Sequence, residues 1–196
     1  MARPQSFVPA VALKQVMHVF WDKGYEGAAL SDLMAATGLS KSSLYATFGD
    51  KRTLFLAALD AYVAATDVAM ERTLTNASPR DGISAWLWGI VVTQPDRPRG
   101  CMLVGQANDM APHDPEVAAK VEAAFARMEE ALARAIGWGQ VEGTIATPRD
   151  PQQLARLIVV AYPGLQTLAR AGGSKERLET AVEVLLEALD DPRAGA

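Results

Sequence analysis

The 196-residue sequence predicts an all-α fold. Apolar residues recur at helical spacing in one segment after another, and clusters of proline, glycine, asparagine and aspartate separate these segments. No segment alternates apolar and polar residues strongly enough to predict a sheet. Because 49% of the residues are hydrophobic, the chain has material for a sizeable core. Its length allows one domain of ordinary size with a smaller one attached.

Two short helices are predicted near the N-terminus. Leu30, Leu33 and Met34 give the first helix an apolar face. Gly38 suits a left-handed C-terminal cap, and Ser40 suits the N-cap of a second helix. The two helices therefore meet at a turn of about three to four residues, which is the pattern of a helix-turn-helix.

The second helix has an outer face without a carboxylate. Leu44 and Phe48 are four residues apart and are predicted to face inward. The residues that project outward are Lys41, Ser42, Ser43, Tyr45 and Thr47. A cation, several hydroxyls and a tyrosine suit phosphate oxygens and base edges, and the helix N-terminus adds the positive end of its dipole. The sequence therefore predicts that this helix lies in the major groove of DNA.

Asp50 is predicted to cap the next helix, which places Lys51 and Arg52 in its first turn. Cations are unfavourable there because of the helix dipole. An external anion such as a DNA phosphate explains them more readily, with a solvated surface lysine as the alternative.

The segment from about Val8 to Leu59 carries a further set of motifs. They are Phe20-x-x-x-Gly24-Tyr25, Leu30 to Ala35, Gly38 to Lys41 and Leu44-Tyr45-x-x-Phe48-x-x-Lys51-x-x-Leu54. In these motifs the chain resembles the N-terminal domain of TetR-family transcriptional regulators. The resemblance implies a three-helix helix-turn-helix DNA-binding domain at residues 1–52. A long helix would join it to a larger helical effector-binding and dimerisation domain at residues 53–196.

By position, the resemblance implies DNA contacts at Ser31, Lys41, Ser42, Ser43, Tyr45, Thr47 and Lys51. Tyr45 and Lys51 resemble phosphate contacts, and residues 41–43 resemble base-reading positions. The family usually has threonine or serine as the cap of the helix before the turn, whereas this chain has Ala28 and Ala29. Losing such a cap typically costs about 0.5–2 kcal/mol.

The charge is unevenly distributed along the chain. Its net charge is -4, but Met1 to Phe55 carries six basic and four acidic residues, so this part is at +2 and the remainder at -6. A net charge of +2 predicts few phosphate contacts and a gentle salt dependence of DNA binding. Dimerisation would double the number of contacts.

The remaining helices are predicted from their apolar spacing and their caps. The predicted helices cover residues 50–75, 83–92, 101–110, 114 to the glycines at 137, 139 and 143, 152–171 with a kink at Pro163, and 174–189. Gln94 to Gly100 is predicted to be a loop, and Asp190 to Ala196 a frayed tail.

The last two helices are candidates for a homodimer interface, which the family builds as an intersubunit four-helix bundle. The alternative is that their apolar faces close the core of one subunit. A two-fold dimer would present two recognition helices to successive major grooves of double-stranded DNA. The operator would then be pseudo-palindromic.

Large apolar side chains are plentiful in the predicted second domain, where they could line an effector pocket. The candidate contacts are Trp86, Met102, Gln106, Met110, Phe125, Met128 and Tyr162, with Trp88 and Trp138 nearby in the sequence. The alternative is that these side chains form ordinary core. Because few charges lie among them, an uncharged or weakly polar small molecule is the expected effector.

Cys101 is a candidate redox site. It follows Arg97-Pro98-Arg99-Gly100 at a predicted helix start, where a dipole and two arginines would favour the thiolate. The arrangement is similar to that of some TetR-family members that sense electrophiles or oxidants. The alternative is a buried structural cysteine.

Catalysis has little support. The sequence has no glycine-rich phosphate loop, zinc-ligand spacing or nucleophile elbow. His113, Asp114 and Glu116 are poorly spaced for a metal, since prolines separate them and a capping role explains Asp114. We therefore expect no catalytic residue, metal or cofactor.

We also expect a cytoplasmic protein without a membrane partner. No uninterrupted apolar stretch approaches the roughly 20 residues of a transmembrane helix. Met1 to Ala10 lacks the pattern of a signal peptide, and a single cysteine fits a reducing compartment.

The preferred interpretation is a homodimeric repressor that a small-molecule or electrophile effector releases from DNA. The alternative is a helical small-molecule-binding or thiol redox-sensing protein without specific DNA binding, whose helix-turn-helix is only structural.

Overall fold

The computed structural model describes residues 7–92 and 99–190. Within these ranges the chain forms nine α-helices and no strand, which confirms the predicted all-α class. The helices are α1 Pro9–Gly27, α2 Leu30–Thr37, α3 Lys41–Phe48, α4 Lys51–Thr75, α5 Pro79–Val91, α6 Met102–Asp109, α7 Pro115–Glu142, α8 Pro151–Arg170 and α9 Lys175–Glu187. The loop predicted at Gln94 to Gly100 lies mostly outside the described residues, as does nearly all of the predicted C-terminal tail.

The chain divides into two compact units. The first contains Met1–Ala65 and Gly105–Val121, and the second contains Thr66–Val104 and Glu122–Ala196. The long helices α4 and α7 each contribute residues to both units. The functional boundary predicted between residues 52 and 53 stays a prediction.

Aromatic and leucine side chains form the core of the first unit. Phe20, Leu33, Leu44 and Phe55 are fully buried, and the rings of Phe20 and Phe55 meet edge to face with centroids 5.3 Å apart. Burying a side chain of this size contributes about 1.5–3 kcal/mol. Leu44 is the one buried residue of α3, so α3 joins this core through Leu44.

In the second unit, α8 and α9 contact each other, and both contact α5. Their buried faces carry leucine, isoleucine and valine side chains, including Ile158 of α8 and Val182 of α9. Other apolar side chains of the same two helices remain exposed: Leu157, Val160, Leu168 and Val184. One subunit therefore does not cover all of the apolar surface on these helices.

One predicted helix boundary differs from the structure by more than two residues. The fifth helix begins at Pro79 and not at Ile83, because Ser78 accepts a hydrogen bond from the Asp81 amide and proline suits the first turn. The seventh helix continues through Gly137 and Gly139 and ends at Glu142, before Gly143, the last of the three glycines predicted to weaken and stop it. Glycine costs a helix about 1 kcal/mol relative to alanine. The last turn of this helix is held by Gln140, whose side chain donates to the Thr147 and Arg149 carbonyls.

α4 is a long apolar helix. Among the described residues it is the helix long and apolar enough to cross a bilayer by length and composition alone, a property that core helices of soluble proteins share. Leu54, Phe55 and Leu59 of this helix are fully buried in the protein. Asp60 and Asp67 form ion pairs with Lys120 and Arg127, respectively. We therefore assign α4 as a core helix.

Candidate nucleic-acid interface

The turn between α2 and α3 begins at Gly38. This residue adopts φ 67° and ψ 11°, the left-handed conformation that favours glycine, and its N–H donates to the Met34 carbonyl at 2.8 Å. The following amide, that of Leu39, donates to Thr37 Oγ1 at 3.3 Å. The predicted glycine cap is confirmed, and it lets the chain reverse into α3 within a few residues.

Ser40 caps α3, as predicted. Its Oγ accepts a hydrogen bond from the Ser43 amide at 3.2 Å. The same Oγ lies 2.9 Å from the Ser42 Oγ and 3.0 Å from the Ser43 Oγ. The three hydroxyls therefore form one hydrogen-bonded cluster at the positive end of the helix.

The buried residue Leu44 defines which way the rest of α3 points. Since each helical residue turns by about 100°, Ser42 and Ala46 lie roughly 160° from Leu44, on the opposite side of the helix. Both are exposed. Ala46 was not among the residues predicted to project outward, although a helical projection centred on Leu44 would have found it. Phe48, predicted to face inward, is only partly buried.

The flanks of this outer face carry the larger polar side chains. Lys41 is exposed, and its Nζ lies 5.7 Å from the centroid of the partly exposed Tyr45 ring. The Thr47 hydroxyl donates to the Ser43 carbonyl at 3.0 Å, so its hydrogen is already used within the helix. Ser31 of α2 is exposed. Lys41, Tyr45, Thr47 and Ser31 remain predicted DNA contacts.

Asp50 starts α4 in the predicted way. Its Oδ1 accepts from the Thr53 amide at 2.7 Å and from the Thr53 hydroxyl at 2.9 Å. These two hydrogen bonds lower the pKa of Asp50. In the following residue, the Lys51 Nζ lies 4.6 Å from the centroid of the Tyr25 ring, which in turn packs against Phe55. The predicted phosphate contact of Lys51 stays a prediction.

Arg52 has acidic partners within the first unit, which sequence analysis did not find. Its Nε and one terminal nitrogen donate to both carboxylate oxygens of Asp114 at 2.9 and 3.0 Å. The same terminal nitrogen donates to Glu116 at 2.9 Å. These contacts explain a cation in the first turn of α4, so Arg52 needs no external phosphate.

Asp114 also caps α7, as predicted. Its Oδ1 accepts from the amides of Glu116 and Val117 at 3.0 and 3.2 Å. The hydrogen bonds from Arg52 are the main reason that the pKa of Asp114 is lowered. In the part of the chain that the structure describes, no group of three or more histidine, cysteine, aspartate or glutamate side chains could hold a metal ion.

The N-terminus of α2, where the usual cap hydroxyl is missing, is served by a carboxylate. Asp32 Oδ2 accepts from the Ala29 amide at 3.0 Å, and Asp32 Oδ1 pairs with Lys23 Nζ at 2.7 Å. The pKa of Asp32 is lowered, first by its hydrogen bond with Lys23 and then by that from Ala29. The carboxylate thus satisfies the amide of the cap residue Ala29, but it does not replace the missing hydroxyl as an acceptor for the first-turn amides.

The predicted effector contacts are distributed over both compact units. Gln106 and Met110 belong to the first unit, and Trp86, Met102, Phe125, Met128 and Tyr162 belong to the second. In the second unit the Trp86 and Tyr162 rings stack with centroids 5.1 Å apart. Phe125 lines a groove of about 570 Å³ together with Glu129 and Arg156. Trp138, in contrast, is 63% exposed and is not core material.

Gln106 and Cys101 are both buried. The Gln106 side chain is 2% exposed, and its Oε1 has no hydrogen-bond partner within the described structure. Cys101 is 7% exposed and immediately precedes α6. Burial fits the structural alternative for this thiol. Its predicted redox role stays a prediction, and Arg97 of the predicted basic cluster lies outside the described residues.

The sequence matches two family patterns that together cover most of the described chain. Residues 13–58 match the pattern described as bacterial regulatory proteins, TetR family. Residues 82–185 match the pattern described as tetracyclin repressor-like, C-terminal domain. The chain belongs to the TetR family. It is therefore a helix-turn-helix transcriptional regulator, and the capped α2 and α3 are its helix-turn-helix.

Other TetR-family proteins are similar over nearly the whole chain. The transcriptional regulator YezE of Bacillus subtilis is 33% identical over 197 residues, covering 97% of this chain and 100% of the relative. The transcriptional repressor ComR of Escherichia coli is 31% identical over 180 residues, covering 90% of this chain and 86% of the relative.

Among solved structures, a cysteine mutant of the TetR-family regulator CifR bound to 26-base-pair operator DNA is 33% identical. It superposes with a TM-score of 0.82 and covers 95% of this chain and 99% of that chain. A TetR regulator of Chloroflexus aurantiacus is 29% identical with a TM-score of 0.78, covering 89% of this chain and 90% of that chain.

Proposed function

We propose that this TetR-family regulator is a homodimeric repressor that binds a pseudo-palindromic double-stranded operator through α3. The observation that carries the proposal is the outer face of α3, which has hydroxyls, a lysine and a tyrosine, and no carboxylate. It lies opposite the fully buried Leu44, which fixes its direction. The similarity to CifR, solved with operator DNA, and to the repressor ComR supports this use of α3.

Within this function we assign different roles to the polar residues. The first turn of α3 contains Lys41, Ser42 and Ser43, which read base edges. Lysine donates hydrogen bonds, and serine both donates and accepts them, so these side chains can pair with the groups that bases present in the major groove. Tyr45, Lys51 and Ser31 contact the sugar-phosphate backbone and fix the register. Thr47 joins them only when its hydroxyl releases the Ser43 carbonyl, because the backbone oxygens of DNA are acceptors. Arg52 is excluded from this set because Asp114 and Glu116 already bind it.

A second copy of the chain would cover the exposed apolar side of α8 and α9. A groove of about 730 Å³ lies between these helices, and its lining includes Leu168 and Val184. Val160 of α8 is 78% exposed. Apolar surface of this kind on packed helices is typical of an oligomer interface. Two-fold pairing through this surface gives two recognition helices and hence two operator half-sites.

Release by an effector requires a difference in affinity between two conformations. A small molecule that binds more tightly to the conformation with misplaced recognition helices lowers operator affinity by that difference. The stacked Trp86 and Tyr162, with Met102, Phe125 and Met128, supply apolar contacts for it in the second unit. Gln106 and Met110, which were predicted along with these residues, belong to the first unit and stay predictions.

If the effector is an electrophile, the Cys101 thiol is the proposed nucleophile that reacts with it. Because the thiol is buried, reaction requires local opening of the chain around it. Native-state labelling with a maleimide, followed by an operator-binding assay, tests this role. An unlabelled thiol, or a labelled protein with unchanged operator affinity, would exclude it.

The regulator acts without catalysis and in the cytoplasm, where its DNA lies. Helix caps and ion pairs explain why the pKa values of Asp32, Asp50 and Asp114 are lowered. No catalytic step is needed for a protein whose activity is reversible operator binding.

Selection from a random duplex pool tests the proposed function. The purified wild type should enrich a palindromic sequence, and Lys41→Ala and Tyr45→Ala should each lose that enrichment while retaining helical content and thermal stability. Arg134→Ala removes one exposed positive charge from α7 in the second unit and serves as the matched control. Its enrichment should equal that of the wild type. Absence of enrichment by the wild type at low salt would instead favour a small-molecule-binding or redox-sensing protein.

A further inference from the structure

Ala46 lies at the centre of the outer face of α3, one turn after Ser42 and on the same side of the helix. We propose that Ala46 is a further specificity-determining residue, whose methyl group contacts the C5 methyl of a thymine in each operator half-site. The proposal rests on the proposed function of α3 as the recognition helix. It adds a base preference to that function.

The direction of the side chain is the first argument. With Leu44 fully buried, a side chain roughly 160° away around the helix points directly out of the protein. Lys41 and Thr47 lie only roughly 60° from Leu44, so they reach the groove from its sides. A helix that inserts with Leu44 toward the protein therefore presents Ala46 and Ser42 to the floor of the groove.

The chemistry of the side chain is the second argument. A methyl group neither donates nor accepts a hydrogen bond. Against a polar base edge it would displace water and leave the hydrogen bonds between that edge and water unreplaced. In the major groove, thymine is the base that presents a methyl group, and alanine is among the residues that contact it. Ala46 therefore favours thymine over the other three bases.

The neighbouring serines strengthen this preference. The Ser40 hydroxyl has one hydrogen and two lone pairs, and the Ser43 amide occupies one lone pair. Ser40 therefore cannot accept from both the Ser42 and the Ser43 hydroxyls, although it contacts both. When both contacts are hydrogen bonds, one of these serines accepts from Ser40 and keeps its own hydrogen. Thymine carries an acceptor, O4, beside its methyl, which matches a hydroxyl donor near Ala46.

The small size of the residues at the centre of the outer face also permits the contact between the Ala46 methyl and thymine. Ser42 and Ala46 are small, so the backbone of α3 can approach the base edges closely. The major groove is about 12 Å wide and a helix with its side chains about 10–12 Å across, which leaves little room for a longer side chain at the centre.

Replacement of thymine by uracil tests the proposal, because it deletes only the C5 methyl. Duplexes recovered by selection with the wild type are resynthesised with uracil at each thymine in turn, and affinities are measured for the wild type and for Ala46→Gly. For one thymine per half-site, the wild type should bind the uracil duplex about fourfold more weakly. Ala46→Gly should bind the two duplexes equally.

Ala64→Gly is the control for the effect of glycine on helix stability, since Ala64 is an exposed residue of α4. It should keep the fourfold preference of the wild type for thymine. The ratio of the two affinities is compared within each variant, so a general loss of affinity does not affect the result.

Three outcomes would overturn the proposal. The wild type could be insensitive to uracil at every thymine, or Ala46→Gly could keep the full thymine preference. In both cases the operator itself is recovered, so the proposed function stands while the role of Ala46 does not. Failure to recover any operator would overturn both.

Discussion

Asp114 shows how one side chain can join two helices. Its carboxylate accepts from Arg52 in α4 and from the first amides of α7. Both sets of contacts are stronger with the ionised form, and they therefore lower the pKa of Asp114 below the ordinary value of 3.8. The folded state binds a proton at this site less readily than the unfolded state does.

This shift predicts a contribution to the pH dependence of stability. The carboxylate stabilises the fold at pH values above its unfolded pKa, and that stabilisation is lost as the pH falls through the lower folded pKa. Asp114→Asn should be less stable than the wild type at pH 7, and the difference should shrink as the pH falls below about 4. Denaturant unfolding from pH 7 to pH 2 measures it.

Glu183→Gln provides the control for that experiment, because Glu183 is an exposed carboxylate of α9. It should follow the wild type throughout. A difference between Asp114→Asn and the wild type that stays constant with pH would contradict the predicted role of ionisation.

Individual caps could be predicted from the sequence because they are local. Gly38, Ser40, Asp50 and Asp114 each act on groups within four residues of themselves. The partners of Arg52 could not be predicted in this way, since Asp114 is 62 residues away in the chain. Only the packing of α7 beside α4 in the first unit brings the two together.

At the level of the helices, α3 and α5 begin with the same type of cap. Ser40 accepts from the Ser43 amide and Ser78 from the Asp81 amide, each at 3.2 Å. They differ in what lies beyond the cap. Ser40 also holds the hydroxyls of the proposed base-reading residues Ser42 and Ser43.

Substitution of either cap should therefore lower stability, whereas only one of the two substitutions should affect DNA binding. Ser40→Ala and Ser78→Ala should each cost about 0.5–2 kcal/mol of unfolding free energy. Only Ser40→Ala should weaken operator binding, measured at a temperature where both variants are folded. Equal operator affinities for the two variants would show that the hydroxyl cluster has no part in recognition.

α5 contains two glycines in contrasting surroundings. A Cβ on Gly82 would lie 2.7 Å from the Leu74 carbonyl oxygen and 2.9 Å from the Leu74 Cα, so the backbone of α4 would have to move. A Cβ on Gly89 would meet nothing within 4 Å. The first glycine is required by close packing, and the second is not.

Alanine substitution should separate these two situations. Gly82→Ala should destabilise the protein by about 1–3 kcal/mol because of overpacking. Gly89→Ala should stabilise it by about 0.5–1 kcal/mol because alanine is the better helix former. Thermal unfolding of both variants measures the sign. A stabilising Gly82→Ala would contradict the close contact with Leu74.

Helix boundaries were predicted well where a cap or a breaker acted alone. α7 passes Gly137 and Gly139, which weaken a helix locally, and ends before Gly143, the last of the glycines predicted to stop it. The start of α5 was predicted too late, because Ser78 and Pro79 fall in the break between the helices predicted at residues 50–75 and 83–92. That error arose where the end of one helix and the cap of the next lie within a few residues of each other.

For the whole molecule, the sequence predicted the order of the helices, whereas the DNA contacts of α3 stay predictions. Ala46 was missed because the prediction selected polar residues and not positions around the helix. The effector contacts stay predictions for a different reason. A pocket depends on which side chains distant helices bring together, and apolar spacing does not distinguish pocket-lining from core residues.

Self-association provides a test at this scale. Val160→Glu places a charge on the exposed apolar side of α8 and should weaken the proposed dimer about 10- to 100-fold, because dimerisation would have to remove the charge from water. Val141→Glu is the matched control, since Val141 is 87% exposed on α7. In sedimentation velocity, Val160→Glu should be monomeric at a concentration where the wild type and Val141→Glu are dimeric. Val160→Glu should also lose operator affinity. Dimers at the wild-type concentration dependence would place the interface elsewhere.

The first compact unit is formed by two separate segments of the chain, and this has a consequence for hybrid regulators. Arg52 and Asp60 of this unit bind Asp114 and Lys120, which lie in the segment Gly105–Val121. A chimera with one junction after Ala65 would combine these two residues with a foreign segment and lose both ion pairs unless the other parent supplies matching charges. Transfer of this operator specificity to another effector domain therefore calls for two grafted segments, residues 1–65 and 105–121.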